Sequence, residues 1–449
     1  MNKKTKKPKV CIGTVEVSGF GRNLSLILNK IGIDTTQIEL EIHPNYKNKT
    51  SKLLFQRIIY FLNKSLSQNT SSRFNVPIRM LLLVLRLPFQ FFIFLWALVK
   101  FDTFIFLYGS TFLPKKVFKY LDWKILKLFN KKIIVVLMGS ESRPPFMDGM
   151  TLNKYRDNDG RLLVNAAHLN KQCLKIKSNL NQIENIADYV VSNPLSSQFL
   201  TKKFVNFVKL GFPFSVSPQP ILDDNDDDNS LIKILHAPSC RHSKGSDKFL
   251  SSINILKKKG YNIEYKELVG VPNTQVLEEI KNCDFVLDQL YTDSPINGFA
   301  TEAASFGKTV ASGSYVYGQI QSDWNCGFTF PLHLFHPDHL DEAIEMLIND
   351  AEKRNMIGKG GREMLLTRNS EENIAQRYSD LINDKLATDY FLNPNDLQYV
   401  FGGGVSKENI QLMSQSLIDT FGTSALCLDD KPSLQKRFLS EIKIKNHEL

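Results

Sequence analysis

The chain has 449 residues, 43% hydrophobic and 23% charged, a globular composition long enough for two or three domains. Its net charge of +10 points to an anionic surface or substrate, but no zinc-finger spacing or RNA-binding aromatic motif accompanies that charge, which sets nucleic acid aside. The six cysteines are scattered without a CxxC pair, which argues against a disulfide framework or a zinc site and for a reduced, cytoplasmic compartment.

The opening MNKKTKKPK is basic, but the apolar run after it is too short and too quickly broken for a signal peptide. Val10–Val17 predicts a first strand, Ser18–Gly21 (SGFG) a glycine turn, Arg22–Lys30 a helix ending at the Gly32 break, and Thr35–Glu41 a second strand. Lys52, Arg57, Lys64, Arg73 and Arg79 are then interleaved with Leu54, Phe55, Ile58, Ile59, Tyr60, Phe61 and Leu62. The apolar run Met80–Val99 (MLLLVLRLPFQFFIFLWALV) follows. It is long enough to cross a bilayer, but Arg86 at mid-span would cost several kcal/mol and Pro88 would break the hydrogen-bond ladder. Two readings stand side by side: helices lying in a membrane interface, with basic heads on anionic phosphates, or ordinary core helices of an α/β domain.

Short apolar strands alternate with helices further on. Thr103–Tyr108 ends at Gly109-Ser110, Trp123–Phe129 is helical, Lys132–Leu137 ends at Met138-Gly139-Ser140, and Ala187–Ser192 is another strand. This alternation predicts a parallel sheet. The acidic run Asp223–Ser230 (DDNDDDNS) has no core potential and marks a linker. The pattern then restarts, with strands at Leu231–His236, Ile263–Val269, Phe285–Gln289 and Thr309–Ser312. Helices are predicted at Asp247–Lys258, Thr274–Asn282, from Thr301, at Leu340–Asn349 and at Glu371–Asn383. The expected organisation is a first α/β domain over residues 1–215, a second over 231–386, and a helical extension over 387–449 with helices at Lys407–Phe421 and Ser433–Ile444. In such α/β sheets, ligands bind at the carboxyl ends of the strands.

Within HAPSCRHSKGSD (236–247), Arg241 and Lys244 fall in a strand-to-helix turn at that edge. There they could meet a pyrophosphate together with helix N-terminal amides and stabilise a departing nucleoside diphosphate. The bland reading is a solvated basic turn. Glu302, early in the following helix, could accept both ribose hydroxyls or simply cap its own helix. His333, His336 and His339 recur every three residues, but Pro337 breaks helical metal-ligand geometry, so no metal site is expected.

Four segments in order, ILHAPSCRHSKGSD (234–247), VGVPNTQVLEEI (269–280), CDFVLDQL (283–290) and GFATEAASFGKTV (298–310), resemble the donor domain of retaining, metal-independent GT-B glycosyltransferases of bacterial polysaccharide clusters. FDTFIFLYGSTFLP (101–114), KKIIVVLMGSESRP (131–144) and IADYVVSNP (186–194) are similar to strands of that family's first domain. The resemblance implies two Rossmann-like domains facing across a cleft, a nucleoside-diphosphate sugar as substrate, no cofactor, and hexosyl or related transfer with retention to a lipid-linked or polysaccharide acceptor at the inner membrane face. It implies that Arg241 and Lys244 hold and activate the diphosphate, that Glu302 holds the ribose, and that Gly298, Phe299, Ala300 and Thr301 face the sugar and phosphates. Gly21 would lie across the cleft.

The chain departs from the family pattern at two places. The first acid of a Glu-x7-Glu motif would fall at Ser294, beside Asp293, and a donor-contacting His at Met138, beside Gly139. Met138, Gly139, Asp293 and Ser294 are therefore candidate sugar contacts, with Glu141 and Arg143 nearby. These losses admit a second reading, a catalytically inactive donor-binding or scaffold protein of the same fold.

Overall fold

In the computed structural model, residues 8–40, 57–59, 61–62, 76–157, 160–214, 231–294, 297–323 and 332–442 are described. The acidic linker at 223–230 and much of the basic-apolar region before residue 76 lie outside them.

Two sheets organise the molecule, the second parallel and the first parallel except at one edge. The first contains β1 (Val10–Thr14), β2 (Thr35–Glu39), β3 (Thr103–Leu107), β4 (Lys132–Val136), β5 (Tyr189–Ser192) and β6 (Phe204–Asn206), ordered β6-β5-β4-β3-β1-β2. The second contains β7 (Ile232–His236), β8 (Ile263–Glu267), β9 (Phe285–Leu287), β10 (Thr309–Gly313) and β11 (His333–Phe335), ordered β11-β10-β9-β7-β8. Strands such as TFIFL and TVASG are buried at every position because helices cover both faces. This is the α/β architecture expected, with two Rossmann-like sheets.

The chain crosses back after the second sheet. Helix Glu371–Ile382 buries Ile374, Ala375, Tyr378 and Leu381 in one cluster with Val10, Ile12 and Ile105 of the first sheet and Leu24 of the helix Phe20–Lys30. A short strand, β12 (Phe391–Leu392), then pairs antiparallel with β6. The region expected as a helical extension is built into the core. Helices Lys407–Phe421 and Pro432–Ile442 bury Ile410, Met413, Leu417, Leu434 and Phe438 in the cluster that also holds Phe146, Leu169 and Phe199. Phe438 meets Phe146 edge-on at 5.3 Å between ring centroids.

The apolar run forms a single helix, Val76–Lys100, with Pro88 inside it. Its two faces differ. Gln90, Ile93, Phe94, Ala97 and Leu98 recur at three- and four-residue spacing and are buried against Phe101, Phe104 and Phe112. Phe91, Phe92, Leu95 and Val99 lie on the other side and are exposed, Val99 at 86%.

Candidate donor-binding site

Strands β7 and β9 are neighbours, with His236 opposite Leu287. The turn after β7 and the loop after β9 therefore start side by side at the carboxyl edge. His236 fixes the pair. Its Nδ1 lies 2.7 Å from the Leu287 carbonyl and its Nε2 2.7 Å from Ser246 Oγ. Burial pushes this imidazole down to about 4, so it is neutral, with Nδ1–H donating to the carbonyl and Nε2 accepting from the hydroxyl. Gly245 closes the turn at φ 76°, where an added methyl would stand 2.6 Å from Leu290 Cβ. That close approach needs glycine.

The two cations of this turn are held by their neighbours. Lys244 Nζ donates to Gln289 Oε1 at 2.7 Å. Arg241 pairs with Asp247 at 2.7 Å and with Glu267 at the end of β8. Both side chains are thus held at the carboxyl edge, by Gln289 just past β9, by Glu267 at the end of β8 and by Asp247 in the following helix.

The helix after β9 runs Gly298–Ser305, three residues earlier than the sequence suggested. Asn297 caps it, accepting from the Ala300 amide at 3.1 Å and donating to buried Asp288 at 2.6 Å. Gly298, Phe299, Ala300 and Thr301 therefore form the first turn, where unpaired amides and the positive dipole end gather. Glu302 falls one turn further in, so it is not the cap. Its carboxylate accepts from Asn273 Nδ2 at 2.9 Å, and burial holds its pKa above the usual value.

Loops from the first sheet reach this edge. After β4, Met138 is half-buried and Gly139 buried. The Met138 amide donates to Glu141 Oε1 at 2.5 Å, while the other Glu141 oxygen is buried with no hydrogen-bond partner. Burial raises this carboxyl to about 7. Arg143 binds Asp148 at 2.9 Å and, across to the second sheet's loops, Asp293. Asn193, after β5, donates to the Asp293 carbonyl at 2.7 Å. Asn153 donates to Cys240 Sγ at 3.1 Å. The carboxyl edges of the two sheets thus face each other. Asp293 has its carboxylate held by Arg143, and Ser294 donates its amide to Thr292 Oγ at 3.1 Å.

Gly21 sits in the opposite domain, at the start of helix Phe20–Lys30. The Gly21 and Arg22 amides donate to the Glu16 carboxylate at 3.2 and 3.0 Å, and Gln37 donates to it at 2.5 Å. Glu16 is buried and fills the anion position at this helix N-terminus. The sequence signal for this arrangement was an acid five residues before the glycine.

No protein-family model and no curated protein matches the sequence. Solved structures similar to this one include HepE of Anabaena in complex with UDP-glucose, at 13% identity and TM-score 0.44, covering 84% of this chain and 99% of that one. A glycosyltransferase of Rickettsia africae is similar at 11% identity and TM-score 0.46, covering 86% of this chain and 100% of that one. MnaA of S. aureus, in a structure with UDP, is similar at 12% identity and TM-score 0.39, covering 84% and 96%.

The Arg143–Asp293 pair is the feature sequence reasoning missed, since its members lie 150 positions apart. The three histidines are dispersed along a strand and a turn: His333 lies in β11, and His336 caps the turn Pro337–His339. Among the described residues no group of three His, Cys, Asp or Glu side chains could hold a metal.

Proposed function

We propose that this protein transfers a sugar from a nucleoside-diphosphate sugar to a lipid-linked or polysaccharide acceptor, with retention and without a cofactor. One observation carries the reading: Arg241 and Lys244 follow the carboxyl end of β7, and the N-terminus of helix Gly298–Ser305 follows that of the adjacent β9, so all lie along one edge of the sheet. Cations and aligned amides along one edge are what a diphosphate requires. As the glycosidic bond breaks, negative charge grows on the leaving diphosphate, and the same groups stabilise it more than they stabilise the ground state. Glu302, one helical turn away, supplies a carboxylate for the ribose hydroxyls. The Arg143–Asp293 pair leaves Met138 and Gly139 as the first domain's candidates beside the sugar.

The exposed face of helix Val76–Lys100 supports contact with the cytoplasmic membrane face. Phe91, Phe92, Leu95 and Val99 present an apolar stripe, and Lys100 Nζ lies 4.7 Å from the Trp96 ring centre at the end of the helix. The buried face belongs to the protein core, so the helix lies on the bilayer with one side only.

A thermal-shift screen against UDP-, GDP- and ADP-sugars tests the donor class, because a ligand at 100 times its Kd stabilises by about 2.7 kcal/mol. The anomeric configuration of the product, read by NMR, tests retention. Donor binding without turnover across a panel of acceptors would instead establish the scaffold reading, which the engagement of Asp293 by Arg143 favours.

A further inference from the structure

The tail crosses the junction between the sheets as a glycine strap. Tyr399, Val400, Phe401 and Val405 are buried on either side of Gly402-Gly403-Gly404. All three glycines have positive φ, at 132°, 73° and 78°, a path closed to most side chains. The strap holds the first domain through the Gly149 amide, which donates to the Gly403 carbonyl at 2.9 Å. It holds the second through its own Gly404 amide, which donates to the Tyr291 carbonyl at 2.9 Å. Contact is at backbone distance on both sides. A methyl on Gly403 would overlap the Met147 carbonyl and the Arg143 side chain. One on Gly404 would stand 2.9 Å from the Ser243 carbonyl, and one on Gly402 3.3 Å from Asp293 Cβ.

Ser243 lies between Arg241 and Lys244, and Asp293 is the residue that Arg143 grips. The strap therefore lies on the turn assigned to the diphosphate and beside the ion pair that joins the two domains. We propose that residues 402–404 form a latch that closes the domains over the donor site and must swing out for a nucleoside-diphosphate sugar to reach Arg241 and Lys244. This rests on the donor reading above. Beneath the strap both cations are satisfied internally, Lys244 by Gln289 and Arg241 by Asp247 and Glu267. Three glycines joined to their surroundings by backbone hydrogen bonds suit a segment that must detach and reseat. Fixed side-chain packing begins on either side of them, at Phe401 and Val405.

A reversible cross-link tests the latch. Ser243→Cys with Gly404→Cys places two Cβ atoms about 3.1 Å apart, a few tenths of an ångström inside the disulfide range. The pair is built into the full chain with Cys240 and Cys326 replaced by Ser, leaving Cys11, Cys173, Cys283 and Cys427, all buried. The oxidised protein is expected to lose the thermal shift given by the best UDP-, GDP- or ADP-sugar and to recover it with dithiothreitol. Equal donor binding by the oxidised and reduced forms would overturn the latch. If the parent binds no donor, the donor reading fails, and the latch is judged by hydrogen exchange alone. Gly403→Ala should then speed exchange of the Gly149 and Gly404 amides at least about tenfold, and unchanged exchange overturns the proposal.

Discussion

Glu141 shows how a single side chain can be placed at a cost. Its carboxyl is desolvated, one oxygen has no partner, and its pKa rises from 4.5 to about 7. Because the folded value lies above the unfolded one, stability falls as pH rises from about 4.5 to 7, and the loss is complete above 7. Glu141→Gln keeps the acceptor oxygen for the Met138 amide and removes the charge. It should raise the melting temperature at pH 8 by at least about 2 °C and leave it unchanged at pH 4, as calorimetric scans at the two pH values would show. A variant no more stable at pH 8 would mean that water or another group solvates this oxygen. The sequence made Arg241, Lys244 and Glu302 visible because each follows an apolar run that ends in a turn, so strand polarity alone sets its edge. It could not show Glu16 under the Gly21 amides, or Arg143 holding Asp293, because those pairings depend on how loops fold over in space.

At the level of elements, most strands and helices were legible from period and punctuation. Helix Ala166–Ile186 was not, because over 21 residues it buries only Leu169, Cys173, Leu180, Ile183 and Glu184, and so weak an apolar stripe leaves little period to detect. The start of helix Gly298–Ser305 was placed late because Asn297-Gly298 resembles a turn as much as a cap and first helical residue. Helix Val76–Lys100 carries the clearest test at this scale. Charging its exposed face with Phe92→Glu and Val99→Glu should lower sedimentation with anionic phosphatidylglycerol vesicles at least fivefold, at about 1 kcal/mol or more. The donor-induced thermal shift should be unchanged. Undiminished sedimentation would show that this face is not the one that meets lipid.

For the whole molecule, the tail decides what counts as a domain. Residues beyond 387 read in sequence as an appendage, since no motif ties them to the strands before them. In the structure they complete the first domain's core and reach the junction between the two sheets. Phe438→Ala should accordingly cost about 3–5 kcal/mol, measured by denaturant unfolding, as for a core residue and unlike a removable extension. A chain ending at 386 would expose Phe146, Phe199 and Leu169, and is expected to be insoluble or to unfold without cooperativity.

In the function proposed, the carboxyl edge of β7 and β9 binds a nucleoside-diphosphate sugar. Titration calorimetry of the wild type, Lys244→Ala and Glu302→Ala, with the donor chosen by thermal shift, measures that binding. Loss of a charged hydrogen bond, about 1.5–3 kcal/mol, predicts at least tenfold weaker binding for each variant, with melting temperatures near that of the wild type. Wild-type affinity in both variants would contradict the assignment.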